Sequence, residues 1–194
     1  MDEKSAFAAS ITFFLTAILR DCGYIPTTDL NECEDKKDWV GLIKILEMHL
    51  NSDLGGYLTL PKSKFDEAFT YYENTRWLPV RLDVLPADCL GIAYEKLLHL
   101  VKGKDAKTSY FTPRWLIDEM IGEIGISKQH TVLDPTCGSS GFLTACIERA
   151  FPRNTAYNST DIKKYIEKKL VGVDKDWFAV QVSKAALTAA YARY

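Results

Sequence analysis

Two acids and a pair of glycines carry the chemistry in this chain. Asp134 follows the apolar run Thr131 to Leu133 and precedes Pro135-Thr136-Cys137-Gly138-Ser139-Ser140-Gly141-Phe142-Leu143, after which apolar residues recur at helical spacing to Ile147. The pattern predicts a strand, a tight loop and a helix. Gly138 and Gly141 remove the Cβ atoms that would hold a ligand off the main chain, and the first amides of a helix point outward without intrahelical partners. The loop can therefore cradle a small polar ligand. Asp134 places a negative charge at the carboxyl end of the strand, where open α/β sheets bind their ligands. A carboxylate repels phosphate, so the loop suits a ligand with a cationic group. Asp174 closes a second apolar strand, Leu170-Val171-Gly172-Val173, and an acid in that place binds ribose hydroxyls in nucleoside sites.

S-adenosylmethionine joins a nucleoside to an ammonium and a sulfonium, and so meets these requirements. In nicotinamide-binding units the ribose acid follows the glycines by about 20 residues. Here Phe151 to Lys169 lengthens the connection and reads as a surface helix with a basic, solvated face. A nicotinamide-dependent dehydrogenase is disfavoured by that spacing, by Asp134 and by the lack of a Gly-x-Gly-x-x-Gly run.

Asp134 to Leu143 resembles the cofactor-binding motif of DNA adenine-N6 methyltransferases, especially the modification subunits of type I restriction systems. The usual form is Asp-Pro-x-x-Gly-(Ser/Thr)-Gly-Gly-Phe. Ser140 stands where the middle glycine is common, and its side chain is expected to narrow the loop and weaken binding. Two earlier stretches are similar to the same family. Leu90-Gly91-Ile92-Ala93-Tyr94-Glu95 matches a helix that precedes the catalytic domain; read without the family, it is an amphipathic helix packing Leu90, Tyr94, Leu97 and Leu98 on a core. Tyr110-Phe111-Thr112-Pro113-Arg114 matches a segment that lies against the methionine end of the cofactor. Thr112 is a favourable N-cap and Pro113 a favourable first helical residue, so a helix is expected through Leu116, Ile117, Met120 and Ile121.

The resemblance covers residues 85 to 194. It implies an α/β fold in which a helical N-terminal subdomain, residues 1–84, precedes the first βαβα part of a Rossmann-like methyltransferase domain, residues 85–194, truncated. It also implies a cofactor site for S-adenosylmethionine made by Tyr110, Phe111, Thr112, Pro113, Arg114, Asp134, Thr136, Cys137, Gly138, Ser139, Ser140, Gly141, Phe142 and Asp174. The family's catalytic (Asn/Asp)-Pro-Pro-(Tyr/Phe) lies beyond the second strand, and no two of the 7 prolines here are adjacent. No catalytic residue is therefore assigned, and nothing here can hold a flipped adenine. The expected function is the cofactor-binding portion of a DNA adenine methyltransferase. The alternative is a catalytically dead remnant or an interaction module derived from one. Implied partners are DNA, reached through missing domains or partner subunits, a complementary methyltransferase fragment, and specificity and restriction subunits.

Composition sets the remaining bounds. A hydrophobic content of 47% over 194 residues supports a packed core, and a net charge of -2 gives no general attraction to nucleic acid. The 5 cysteines contain no Cys-x-x-Cys pair and the 3 histidines lie far apart, so neither a disulfide framework nor a metal site is expected. The apolar run Ala6 to Leu19 is shorter than the ~18 to 20 residues of a membrane span and follows Asp2-Glu3-Lys4 rather than a basic cluster. It reads as the buried part of a helix over residues 5 to 20, in a cytoplasmic protein. Thr27 to Asp38 reads as a polar acidic loop and Trp39 to Leu50 as an amphipathic helix. Tyr57 to Leu60 reads as a short strand and Lys62 to Thr75 as another helix.

The two expected strands of the second part are almost wholly apolar, the pattern of a sheet covered on both faces. Paired only with each other, they would leave an open edge and uncovered apolar surface. The chain is accordingly expected to be insoluble, self-associated or dependent on a fragment that supplies further strands.

Overall fold

The computed structural model describes residues 13–23, 25–36, 38–50, 85–86, 88–102 and 111–194, and the chain divides into two compact units, Met1–Leu85 and Pro86–Tyr194. In the first unit a helix over residues 13–21 (α1) buries Leu15, Ile18 and Leu19 and ends at Gly23, whose φ of 70° is left-handed. The segment expected to be an acidic loop is instead a helix, α2, Thr27–Asp35. Leu30 is fully buried while Asn31 and Glu32 stay exposed, so a single apolar anchor suffices. Asp29 lies in the first turn, and Lys36 pairs with Glu32 one turn back at 2.6 Å. Asp38 then caps α3, Trp39–Leu50, by accepting the Gly41 amide at 2.9 Å. The strand and helix expected between Tyr57 and Thr75 lie outside the described residues.

The second unit is mixed α/β and mostly helical. Its order is α4 (Cys89–Lys102), α5 (Arg114–Ile124), β1 (Val132–Asp134), α6 (Gly141–Ala150), α7 (Ser159–Lys169), β2 (Leu170–Gly172) and α8 (Trp177–Tyr191). The strands pair in parallel with Val132, Leu133 and Asp134 opposite Leu170, Val171 and Gly172. Both strands thus carry an apolar pair in their first two positions. Among the described residues one face is covered: Leu170 joins Leu143, Ile147, Ile162 and Tyr165 in a buried cluster, whereas Leu133 is 62% and Val171 47% exposed. Successive strand residues face opposite sides, and Val173, 51% exposed, continues the open face.

Close approach explains Gly172. A Cβ there would lie 2.9 Å from Leu143 Cδ1 and 3.0 Å from Cys137 Sγ, so the hydrogen lets α6 and its loop rest directly on β2. Burying Ile147 and Leu143 completely contributes about 1.5 to 3 kcal/mol each before entropy is set against it. α7 has an amphipathic pattern: Ile162 and Tyr165 are buried, Lys163, Lys164 and Lys168 are exposed, and the Asn158 side chain caps it by accepting the Thr160 amide at 2.8 Å. One boundary differs from expectation. Pro113, with ψ 141°, takes the N-cap position and no side chain caps α5; the amides of Leu116 and Ile117 reach the Pro113 carbonyl at 3.0 and 3.1 Å. Thr112 therefore stands one residue outside the helix, and exposed, because Pro113 is extended.

Candidate functional site

The loop between β1 and α6 is held by the residues that follow β2. The Val173 amide donates to the Asp134 carbonyl at 2.9 Å, and the Cys137 amide to the Val173 carbonyl at 2.9 Å. These bonds extend the strand pairing past its regular end and bring Asp134 and Asp174 to one side of the loop. Asp174 Oδ2 accepts the Gly138 amide at 2.9 Å, and its Oδ1 accepts the Asp176 amide at 2.8 Å. Asp134 Oδ1 accepts the Thr136 amide at 3.1 Å. Burial raises the Asp134 carboxyl above the ordinary carboxylate range and the Asp174 charge adds to that rise, against the Thr136 hydrogen bond, which lowers it. Among the described residues neither acid forms an ion pair. Two carboxylates without a cation between them favour a positively charged ligand.

Gly138 has φ 50°, and a Cβ built on it would meet no heavy atom within 4 Å. Its outer side is open. Ser139 and Ser140 are buried instead. Ser140 adopts the left-handed conformation, φ 64° and ψ 33°, as the N-cap of α6. Glycine is the usual occupant of that region because it has no Cβ to clash. The serine side chain turns inward and donates from Oγ to the Ser183 carbonyl at 3.2 Å, so it spends its volume against α8 and does not narrow the loop as expected. Cys137 is buried, and burial pushes its thiol up, which suits packing better than nucleophilic chemistry. Phe142 packs on the core cluster and Gly141 lies under Ile117; Thr136 is exposed.

α4 forms a wall of the loop that residue types alone did not single out. A Cβ on Gly91 would sit 2.7 Å from Ser139 Oγ, so the Leu-Gly-x-x-Tyr-Glu glycine permits direct helix-to-loop packing. Tyr94, one turn on, is buried and meets Phe111 edge to face with centroids 5.9 Å apart. Burial pushes its hydroxyl up to about 12, and the charges of Asp176 and Asp174 push the same way. Tyr94 therefore belongs to the acid side of the loop as well as to the core. The Leu-Gly-x-x-Tyr-Glu pattern was the available signal. Thr112 and Pro113 are exposed. The Arg114 guanidinium contacts Asp118 at 2.7 Å, Asp88 at 3.5 Å and Glu148. Tyr110 and the side chain of Leu97 lie outside the described residues.

A parallel strand pair whose two strand-end acids meet at the loop between β1 and α6 defines a mixed α/β protein. The chain belongs to the N-6 DNA methylase family, whose sequence model matches residues 86–188. It is also similar to the type I restriction enzyme EcoEI methylase subunit of Escherichia coli, 23% identical over 123 residues that make up 59% of this chain and 25% of that protein. The chain thus spans about a quarter of the length of that curated relative.

Proposed function

We propose that residues 86–194 form the S-adenosylmethionine-binding part of a DNA adenine-N6 methyltransferase of a restriction-modification system, on a Rossmann-like domain. The observation that carries this reading is the placement of Asp134 and Asp174, without cationic partners among the described residues, together beside a glycine loop whose outer side is open. The residues fit the cofactor. Asp134 keeps a second carboxylate oxygen for the ammonium. Asp174 has already accepted two amides, but a carboxylate offers about four lone-pair directions, which leaves room for ribose hydroxyls. Thr112 and Pro113 would face the carboxylate of the methionine end, and Gly138 to Gly141 its backbone. Bound there, S-adenosylmethionine supplies a methyl group activated by its sulfonium. The chain's own part is to bind and orient the donor, which is worth rate only when an acceptor is positioned in line.

The acceptor side is not among the 194 residues, which contain no adjacent prolines. The proposed partners are DNA and specificity and restriction subunits. No helix among the described residues is long and apolar enough to cross a membrane; the cytoplasm is the proposed location because the proposed substrate is DNA. The second reading is a catalytically dead remnant or interaction module derived from such an enzyme. Calorimetry of the folded chain with S-adenosylmethionine tests the first reading: saturable binding supports it, and no heat at millimolar ligand overturns it.

A further inference from the structure

We propose that Arg114 is a positioning residue for this site, acting through three carboxylates rather than on the ligand; the inference rests on the cofactor reading above. Its Nε lies 2.7 Å from Asp118 Oδ1, its Nη1 3.5 Å from Asp88 Oδ2, and its Nη2 pairs with Glu148 Oε2. Every guanidinium nitrogen is engaged with an acid, and each acid belongs to a different stretch. Asp118 is on α5, Glu148 on α6, and Asp88 directly precedes α4.

The location gives the cluster its consequence. Arg114 directly follows Phe111-Thr112-Pro113. Ile117, one turn further, lies over Gly141, where a Cβ would come within 3.1 Å of its Cδ1. α5 is therefore fastened to α6 at two places, by Ile117 at the first helical residue and by Arg114 near the last turn. The apolar contact tolerates sliding, whereas a planar fork facing fixed acids sets register. The Asp88 contact does the same for α4, whose Gly91 presses on Ser139 and whose Tyr94 meets Phe111. One guanidinium thus holds the starts of both helices that face the loop. Asp88 is 7% exposed and its Oδ1 has no hydrogen-bond partner, so its charge is poorly compensated without Arg114.

The test uses the full chain and the variants Arg114→Lys, Glu148→Gln and their combination. Affinities for S-adenosylmethionine and for adenosine are measured by calorimetry, with thermal melting as a check on folding. Glu148→Gln keeps the shape of a side chain that has no place in the proposed ligand contacts. Each single variant is expected to lose about tenfold in affinity for S-adenosylmethionine, with adenosine binding changed less than about twofold because the shifted segment faces the methionine end. The double variant is expected to be no weaker than the worse single one, since both break the same clamp. Parental affinity in Glu148→Gln, or additive losses in the double variant, would overturn the proposal and make Arg114 a direct ligand or a bystander. Equal losses for both ligands would reduce it to a general stability effect and overturn it too. A parent that melts cooperatively yet binds neither ligand refutes the cofactor reading itself, and this inference falls with it.

Discussion

The Gly138 amide donates to the Asp174 carboxylate at 2.9 Å across 36 residues of chain. The acid at the end of one strand thereby sets the shape of the loop that follows the other, and its second oxygen begins the approach to α8 through the Asp176 amide. Hydrogen bonds to a charged acceptor contribute about 1.5 to 3 kcal/mol each. Asp174→Ala is expected to weaken S-adenosylmethionine binding at least tenfold and to speed hydrogen exchange at the Gly138 amide in the ligand-free chain. Unchanged affinity by calorimetry would remove Asp174 from the site.

Asp134 behaves oppositely with pH in the free and liganded chain. Its folded carboxyl is raised, first by burial and then by Asp174, so the folded chain holds its proton to higher pH than the unfolded chain does. Between the ordinary carboxylate pKa and the raised one, this group's contribution to stability falls as pH increases. A cationic ligand needs the ionised form, and its affinity should rise over the same interval. Asp134→Asn should flatten both trends, raise the melting temperature of the ligand-free chain at neutral pH and weaken S-adenosylmethionine. Calorimetry and melting between pH 4 and 8 check the signs.

Ser140 sets a backbone cost against a side-chain gain. Its left-handed backbone costs roughly 1 to 2 kcal/mol relative to glycine, and its Oγ bond to the Ser183 carbonyl returns about 0.5 to 1.5 kcal/mol. Ser140→Gly should therefore leave stability within about 1 kcal/mol of the parent, while Ser140→Ala keeps the strain, loses the bond and should be destabilised by about 1 kcal/mol. Urea unfolding of the three proteins gives the order. Alanine equal to or more stable than serine would mean that the buried hydroxyl contributes nothing.

Leu133, Val171 and Val173 line the open face of the sheet, and contiguous exposed apolar groups of this kind favour association. The chain is expected to self-associate and to bind a hydrophobic dye, and Val171→Lys should reduce both. Monomeric sedimentation at high concentration without dye binding would show that this face is satisfied as it stands.

Methyl transfer by the chain alone is expected to be nil, because donor binding without a placed acceptor leaves the barrier high. Labelled methyl on duplex adenine with this chain as the only protein would contradict that. Activity should appear when a fragment carrying (Asn/Asp)-Pro-Pro-(Tyr/Phe) is added.

Local pattern was sufficient for the elements around the site. The two apolar runs before Asp134 and Asp174 form the parallel pair, the first displaced by one residue to Val132–Asp134 and the second one residue shorter at Leu170–Gly172, and the spacing of Phe142, Leu143 and Ile147 becomes α6. These are signals within a few residues, where backbone sterics and apolar periodicity act. The helix Thr27–Asp35 was missed because its one fully buried anchor, Leu30, gives too little periodicity to outweigh its polar residues. What Asp174 and Arg114 touch was not legible at all. Their partners Gly138 and Glu148 lie 36 and 34 residues away, and side chains of these types are equally at home in water. Likewise, a serine in place of glycine reads as an obstruction in the loop until α8 is folded against it and offers the Ser183 carbonyl. Residue types supplied the acids and the open loop; packing of distant elements decided which oxygen, amide and guanidinium face one another, because a hydrogen bond's direction is set by the backbones that carry it.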